Sequence, residues 1–449
     1  MSTKPPSGTR DFLPDEVRRR EYVMRVVREV YESYGFEPLE TPAFENIETL
    51  LGKYGEEGNK LIFKILKRGE HEASGEADLA LRYDLTVPLA RVVAQYQQEL
   101  PRFFKRYQIQ PVWRADRPAK GRFREFYQCD IDAIGSTSPV VEAELLAAVS
   151  DVLGRLRFDN FVIRLNHRRA LTALLEVAGI EASQHADALV ALDKLDKIGP
   201  EGVEKELQAR GIAPDASAAC LRFFAASSPD ASPAEMLDRL RGFVAGHEAG
   251  MAAIGDLASI VGLAEVTKAG DRIRIDPSLA RGLSYYTGAI MEIAVPDLAG
   301  SLGGGGRYDN LVGMFLGRDV PACGFSLGLE RIIVVMTERN MFPAKISLGA
   351  VDVMVAFLGD GLRADAVKLA GELRGEKLRV EIYPEGSRKL EKSLKYAAGR
   401  SVPVMAILGE DEQARGEVTV RDLQTRQQES VSRQSAAAAI ARRVRLGEP

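Results

Sequence analysis

The chain has 449 residues, 45% of them hydrophobic and 28% charged, which is enough for two or three domains with real cores and excludes a disordered chain or a coiled coil. MSTKPPSGTRDF lacks the apolar core of a signal peptide, and no stretch approaches about eighteen uninterrupted apolar residues, so the expectation is a cytoplasmic protein with no membrane partner. The net charge of −4 does not announce a nucleic-acid partner, although basic residues can be grouped locally, and Cys129, Cys220 and Cys323 lie too far apart to suggest a disulfide framework or bound zinc.

In chain order, Pro14-Asp15-Glu16 opens a predicted helix that runs to about Tyr34 and stops at Gly35. GFEPLETPAFENIETL follows, in which Pro42 fits an edge strand. Leu79 to Leu89 alternates as a strand does, with Ala80, Arg82, Asp84 and Thr86 on one face, and an acid beside a hydroxyl can hold an ammonium group. Phe103 to Ala115 and Arg122 to Ile134 alternate again and read as two antiparallel strands joined by a basic loop at Pro118, Lys120 and Gly121. Arg106, Gln108, Gln110, Val112 and Arg114 then share a face of the first strand, and Arg122, Arg124, Phe126, Gln128, Asp130 and Asp132 share a face of the second. Any one of these residues fits an ordinary half-exposed sheet face. The mixture suits an anionic ligand with a planar base, because arginine grips phosphate with a planar fork and Phe126 can stack on the base.

From Val140 the chain reads as mostly helical, and Arg168 to about Ala253 is rich in alanine and leucine with breaks at Gly179, Gly199-Pro200, Gly211 and Pro214, and Pro229 to Pro233. His167, His185 and His247 read as surface or core histidines. Ile273 to Val295 returns to strands, and the run Gly303 to Gly306 fits either close backbone approach to a ligand or a bulge or tight turn. It fits neither dinucleotide nor P-loop glycine spacing. Gly324-Phe325-Ser326-Leu327-Gly328 matches the GxSxG elbow of serine hydrolases, but that fold needs a histidine downstream, and all four histidines precede Ser326. After Pro343 strands and helices alternate, which predicts a small, mainly parallel α/β domain of about 100 residues.

RADRPAKGRFREFYQCDIDAIG resembles motif 2 of class II aminoacyl-tRNA synthetases, specifically of histidyl-tRNA synthetase. LRYDLTVPLAR, ARGLSYYTG, GGGGRYDNLV and GFSLGLERI extend the resemblance in the family's order over nearly the whole chain. It implies an α+β catalytic core with a mostly antiparallel sheet flanked by helices, a helical insertion and a C-terminal α/β domain. The corresponding divisions are 1–167 and 254–343 for the core, 168–253 for the insertion and 346–449 for an anticodon-binding-like domain. The implied reaction joins histidine to ATP, with Mg²⁺, and passes the histidyl group to its tRNA. By resemblance Arg114 and Arg281 bracket the carboxylate and α-phosphate, Asp116 and Arg122 address ATP, and Phe126 with Arg331 holds adenine. Asp84, Leu85, Thr86 and Gln128 meet the amino group, Asp132 with Tyr285 and Tyr286 meets the imidazole, and Arg124 meets tRNA. Pro42 falls in the segment resembling motif 1, which implies a homodimer. Two departures stand out: Ser284 replaces the acid of RGLDYY, and Ala119 stands where many bacterial members carry glutamine. The rival reading is the non-catalytic, synthetase-like regulatory subunit of ATP phosphoribosyltransferase, which usually lacks the anticodon domain and part of the catalytic set. Arg281 and the C-terminal domain favour the enzyme.

Overall fold

The structure, a computed structural model, describes residues 3–69, 74–192, 194–225, 231–280, 285–296, 298–343, 346, 350–386 and 389–446. The chain divides into two compact units, Met1–Met341 and Phe342–Pro449. Among the described residues no helix is long and apolar enough to cross a membrane.

In the first unit the described strands are, in chain order, β1 (Glu37–Pro38), β2 (Phe44–Asn46), β3 (Lys64–Leu66), β4 (Ala77–Leu81), β5 (Phe104–Trp113), β6 (Glu125–Ile134), β7 (Val162–His167), β8 (Ile273–Ile275), β9 (Ala289–Ala294), β10 (Ser301–Arg307) and β11 (Ala322–Gly328). Eight of them form one sheet in the order β1-β5-β6-β11-β10-β9-β7-β8, and the others a small sheet β2-β4-β3. The β1–β5 and β7–β8 pairs at the two ends of the large sheet are parallel, and the rest are antiparallel.

The helix Pro14–Ser33 starts as its sequence dictates, with proline at the first position and Asp15 and Glu16 in the first turn, where the Glu16 carboxylate accepts from Leu13 N–H. Gly35, at φ 75°, follows its end. Val23, Val26, Val27, Val30 and Tyr31 recur at helical spacing and are buried. The Tyr31 hydroxyl donates to the Cys129 carbonyl on β6 at 3.2 Å. Cys129, Ile131 and Ala133 therefore belong to the packed face of β6, which leaves Gln128, Asp130 and Asp132 on the other.

One expectation changes and two are refined. The strand expected over Leu79–Leu89 ends at Leu81, and a helix occupies Thr86–Gln95. Asp84 breaks the alternation by accepting the Val87 N–H at 3.0 Å, as a capping residue does, and Pro88 falls in the first turn, where its missing N–H costs nothing. The glycine run lies inside β10, between β9 and β11, with a register shift between Ser301 and Gly303. The mostly helical region after Val140 contains β7, and the helix Glu248–Ala264 spans residue 253, the expected end of the insertion. Gly179, Gly199 and Gly211 do carry positive φ, and Gly199-Pro200 kinks the helix Leu195–Ala209.

The second unit holds β12 (Val353–Phe357), β13 (Val380–Ile382), β14 (Val404–Leu408), β15 (Glu417–Asp422) and β16 (Gln428–Ser432) in the order β13-β12-β14-β15-β16. β12, β13 and β14 pair in parallel, and β15 and β16 add antiparallel. The polar strand β16, QESVS, has no apolar alternation to announce it. Helices Arg363–Gly375 and Ala436–Leu446 bury Leu369, Leu373 and Ile440 against Val353, Val355, Ala406 and Leu408, and Met354, Met405 and Ile407 serve a second apolar cluster on the other face.

Candidate functional site

Strand register builds the floor of a cavity of about 230 Å³. Arg106 on β5 lies opposite Asp132 on β6, which lies opposite Gly324 on β11, which lies opposite Gly306 on β10. The next row runs Gln108, Asp130, Ser326 and Gly304, and the third joins Gln110, Gln128 and Gly328. The glycines are a steric requirement: a Cβ on Gly324 would run into the Asp132 carboxylate, and one on Gly306 would meet the Tyr286 ring at 2.9 Å.

The floor is polar and buried, with Asp130 and Asp132 each 2% exposed. Asp132 Oδ2 lies 2.7 Å from Arg106 Nη2, and the Tyr308 hydroxyl donates to Oδ1. Burial nevertheless raises the Asp132 pKa, with Arg106 opposing. Asp130 is raised too, first by burial and then by the neighbouring Asp132 charge, while Arg106 and the Ser326 hydroxyl pull the other way. Gln128 Nε2 donates to Ser326 Oγ at 2.8 Å. Gln128 Oε1 and Asp130 Oδ1 are buried without a hydrogen-bond partner among the described residues. Such orphans cost free energy unless a ligand completes them.

At one side of the floor Asp84 Oδ1 accepts from the Tyr54 hydroxyl and from Val87 N–H, each at 3.0 Å, and Oδ2 from the Tyr285 hydroxyl at 3.4 Å. Tyr285 also hydrogen-bonds the Thr86 side chain. Burial raises the Asp84 pKa against the pull of the Val87 N–H and the Arg114 charge.

Above the floor the charges are positive. Arg114 donates Nε–H to the Tyr83 carbonyl at 3.0 Å and lies 4.3 Å from the Tyr83 ring centre and 5.2 Å from that of Phe126. Its two terminal nitrogens have no protein partner among the described residues. Arg331 donates Nε–H to the Gly121 carbonyl at 3.3 Å and Nη1–H to the Ser301 carbonyl, which anchors the β5–β6 loop carrying Asp116 and Arg122. Its neighbour Glu330, also at the cavity wall, is already engaged: it pairs with Arg20 at 2.8 Å and accepts from Tyr127 N–H at 2.9 Å.

Of the side chains singled out from the sequence, Asp84, Thr86, Arg114, Asp116, Arg122, Phe126, Gln128, Asp132, Tyr285, Tyr286 and Arg331 all line this cavity. Leu85 does not: its side chain is fully buried and its carbonyl accepts from Arg106. Arg124 also stands apart, donating to the carbonyls of Asp116 at 3.0 Å and Ser7 at 3.3 Å. Arg281 and Ser284 lie outside the described residues. Sequence reasoning missed Tyr54, Arg106, Ser326 and Tyr308 as members of the site. Arg106 had been grouped with Gln108, Gln110 and Arg114 on a face of its own strand, but its pairing with Asp132 depends on the strand register. The arrangement can hold a small zwitterion with polar ring atoms below, and an anionic nucleotide above.

The sequence model of the family described as Histidyl-tRNA synthetase matches residues 8–332, and that described as Anticodon binding domain matches residues 352–443. The Histidine--tRNA ligase of Gloeobacter violaceus is 43% identical, covering 98% of this chain and 98% of its own length. That of Christiangramia forsetii is 42% identical over 96% of this chain and 98% of its own. The crystal structure of histidyl-tRNA synthetase from Nostoc sp. PCC 7120 superimposes with a TM-score of 0.82 at 32% identity, covering 99% of this chain and all of that one.

Proposed function

The chain belongs to the histidyl-tRNA synthetase family and is a histidine–tRNA ligase, with histidine, ATP and tRNA as substrates, and we propose that the cavity between β5, β6, β11 and β10 carries its first half-reaction. The observation that carries this reading is the division of the cavity into an acidic, partly unpaired floor and a basic roof.

Adenylate formation is in-line attack of the histidine carboxylate on the α-phosphorus, with pyrophosphate leaving. Two anions must meet, so the protein's contribution is positioning and charge neutralisation. Arg114, already fixed through Nε, turns its terminal nitrogens to the carboxylate and α-phosphate, and Arg281 is the second cation. Phe126 and Arg331 hold adenine between them, while Asp116 and Arg122 on the loop address the rest of ATP. Asp84, held by its donors, takes the α-ammonium together with Thr86 and Gln128, and Leu85 contributes through its backbone. Asp132, Tyr285 and Tyr286 pair with the two imidazole nitrogens, one a donor and one an acceptor when the ring is neutral. Mg²⁺ enters with the ATP phosphates. Bound there, it would supply further neutralisation of the phosphate charge beside Arg114 and Arg281.

Residues 346–449 are the tRNA anticodon reader in this scheme, 168–253 an insertion, and Arg124 a contributor to the acceptor end. The protein works as a cytoplasmic homodimer. The test of the central reading is histidine-dependent exchange of pyrophosphate into ATP. Absence of exchange with Mg²⁺, ATP and each of the twenty amino acids would favour the regulatory-subunit reading.

A further inference from the structure

Two arginines are almost completely buried in the core sheet region, and they are used differently. Arg82, 1% exposed, donates to the carbonyls of Pro111 at 2.8 Å, Thr41 at 2.6 Å and Pro42 at 3.0 Å, and to Gln110 Oε1 at 3.0 Å, as an arginine that holds a fold together does. Arg106, 0% exposed, leaves Nε and Nη1 without a hydrogen-bond partner among the described residues. Its Nη2 serves two groups at once: the Leu85 carbonyl at 3.2 Å and Asp132 Oδ2 at 2.7 Å. Leu85 is the residue between Asp84 and Thr86, and Arg106 itself does not line the cavity.

We propose that Arg106 is a positioning residue for histidine: one guanidinium ties the carboxylate beneath the imidazole to the backbone that carries the ammonium-binding acid, and thereby fixes the separation of the two anchors. This rests on the assignment of Asp132 and Asp84 in the preceding section. The geometry explains why arginine stands here. Asp132 accepts at Oδ1 from the Tyr308 hydroxyl, while Oδ2, which has no hydrogen-bond partner among the described residues, faces the Arg106 guanidinium as an ion pair, so the two contacts hold the carboxylate from both sides. Without the cation Asp132 would be a buried acid close to Asp130 and Asp84 with only the Tyr308 hydroxyl to favour its charge, and would take up a proton or turn away. A lysine ammonium can neutralise Asp132, but Nη2 meets both partners from a rigid planar group whose N–H directions are fixed, which a freely rotating ammonium on a flexible stem does not reproduce.

Arg106→Met, Arg106→Lys, Asp132→Asn and the double variant Arg106→Met/Asp132→Asn are compared in pyrophosphate exchange, with histidine and ATP titrated separately. Arg106→Met raises the KM for histidine by about 10- to 100-fold, the range seen when a group that orients a ligand-binding side chain is lost, and leaves the KM for ATP unchanged. Arg106→Lys recovers part of the loss. The double variant, which contains neither buried charge and so keeps the test open if Arg106→Met fails to fold, has the histidine KM of Asp132→Asn alone, because Arg106 acts through that carboxylate. Equal rises in both KM values, a loss confined to kcat, or a double variant worse than Asp132→Asn by the full Arg106→Met factor would each overturn the proposal. A wild-type protein that exchanges pyrophosphate with no amino acid would instead overturn the underlying reading.

Discussion

The two large sheets of this molecule treat burial in opposite ways. In β14 every residue from Val404 to Leu408 is buried and apolar, and the two faces of β12 and β14 are covered by separate apolar clusters. In β6 one face is Cys129, Ile131 and Ala133, but the other buries Gln128, Asp130 and Asp132 with oxygens left unpaired. A buried unpaired polar atom destabilises a fold, so a strand that gathers several of them on one face is shaped by something other than stability. The first sheet is built for a ligand and the second for itself.

The sharpest way to break that contrast is at the polar sheet, above its floor. Arg114→Ala lowers the rate of pyrophosphate exchange by about 10²- to 10³-fold, the cost of losing a group aimed at developing charge, with little change in melting temperature. The apolar sheet behaves conversely. Leu408→Ala costs about 2–5 kcal/mol, seen as an earlier calorimetric transition, and leaves the KM for histidine unchanged.

His167 is an intermediate case, a buried polar group that is satisfied. Its Nδ1 accepts from Arg169 N–H at 3.2 Å, and burial, with the charges of Arg169 and Arg307, pushes its pKa down to about 4 even though the exposed Asp256 lies 3.6 Å from Nε2. Above the unfolded value near 6.5 both states are neutral and stability is full. As pH falls from there towards 4 the unfolded chain binds a proton that the native ring refuses, so about 3 kcal/mol is lost. Denaturant titrations between pH 7 and 4 measure this, and His167→Asn, which retains a capping acceptor, flattens the slope. The smallest effect sharpens the contrast most. Asp130 lines the cavity with Oδ1 unpartnered, so Asp130→Asn, which removes a buried carboxylate, raises stability by about 1 kcal/mol, and if that oxygen meets the bound histidine it raises the KM for histidine as well.

Much of the polar sheet was legible because alternation sorts side chains without any knowledge of partners. Gln128, Asp130 and Asp132 were placed on one face of their strand, and Arg106 and Gln108 on one face of theirs, from period two alone; that the two faces coincide comes from the register. The same rule misled at Leu79–Leu89, where apolar and polar residues go on alternating after the strand has ended. Asp84, Thr86 and Pro88 together are a helix start, and weighting them over periodicity would have found it. Tyr54 and Tyr308 were not legible, because each reaches its acid across 30 and 176 residues of sequence. The glycines of β10 were ambiguous for a related reason: what excludes a side chain at Gly306 is the Tyr286 ring and the Ala289 carbonyl, contacts that exist only once β9 and β10 have paired.

The strand order has a consequence for synthesis. β6 pairs with β5, its neighbour in sequence, but its other edge waits for β11, which begins at Ala322. At translation speeds of about 5–20 residues per second, the stretch between the two strands takes on the order of 10–40 s to emerge. For that time the nascent chain presents a ten-residue strand with an open edge, the geometry that invites pairing with a neighbouring polypeptide. Asp130 and Asp132 are charged then and surrounded by water, and charges along an open edge discourage such pairing. The same two acids that the finished sheet buries are thus the charges that its open edge carries while the chain is still being made.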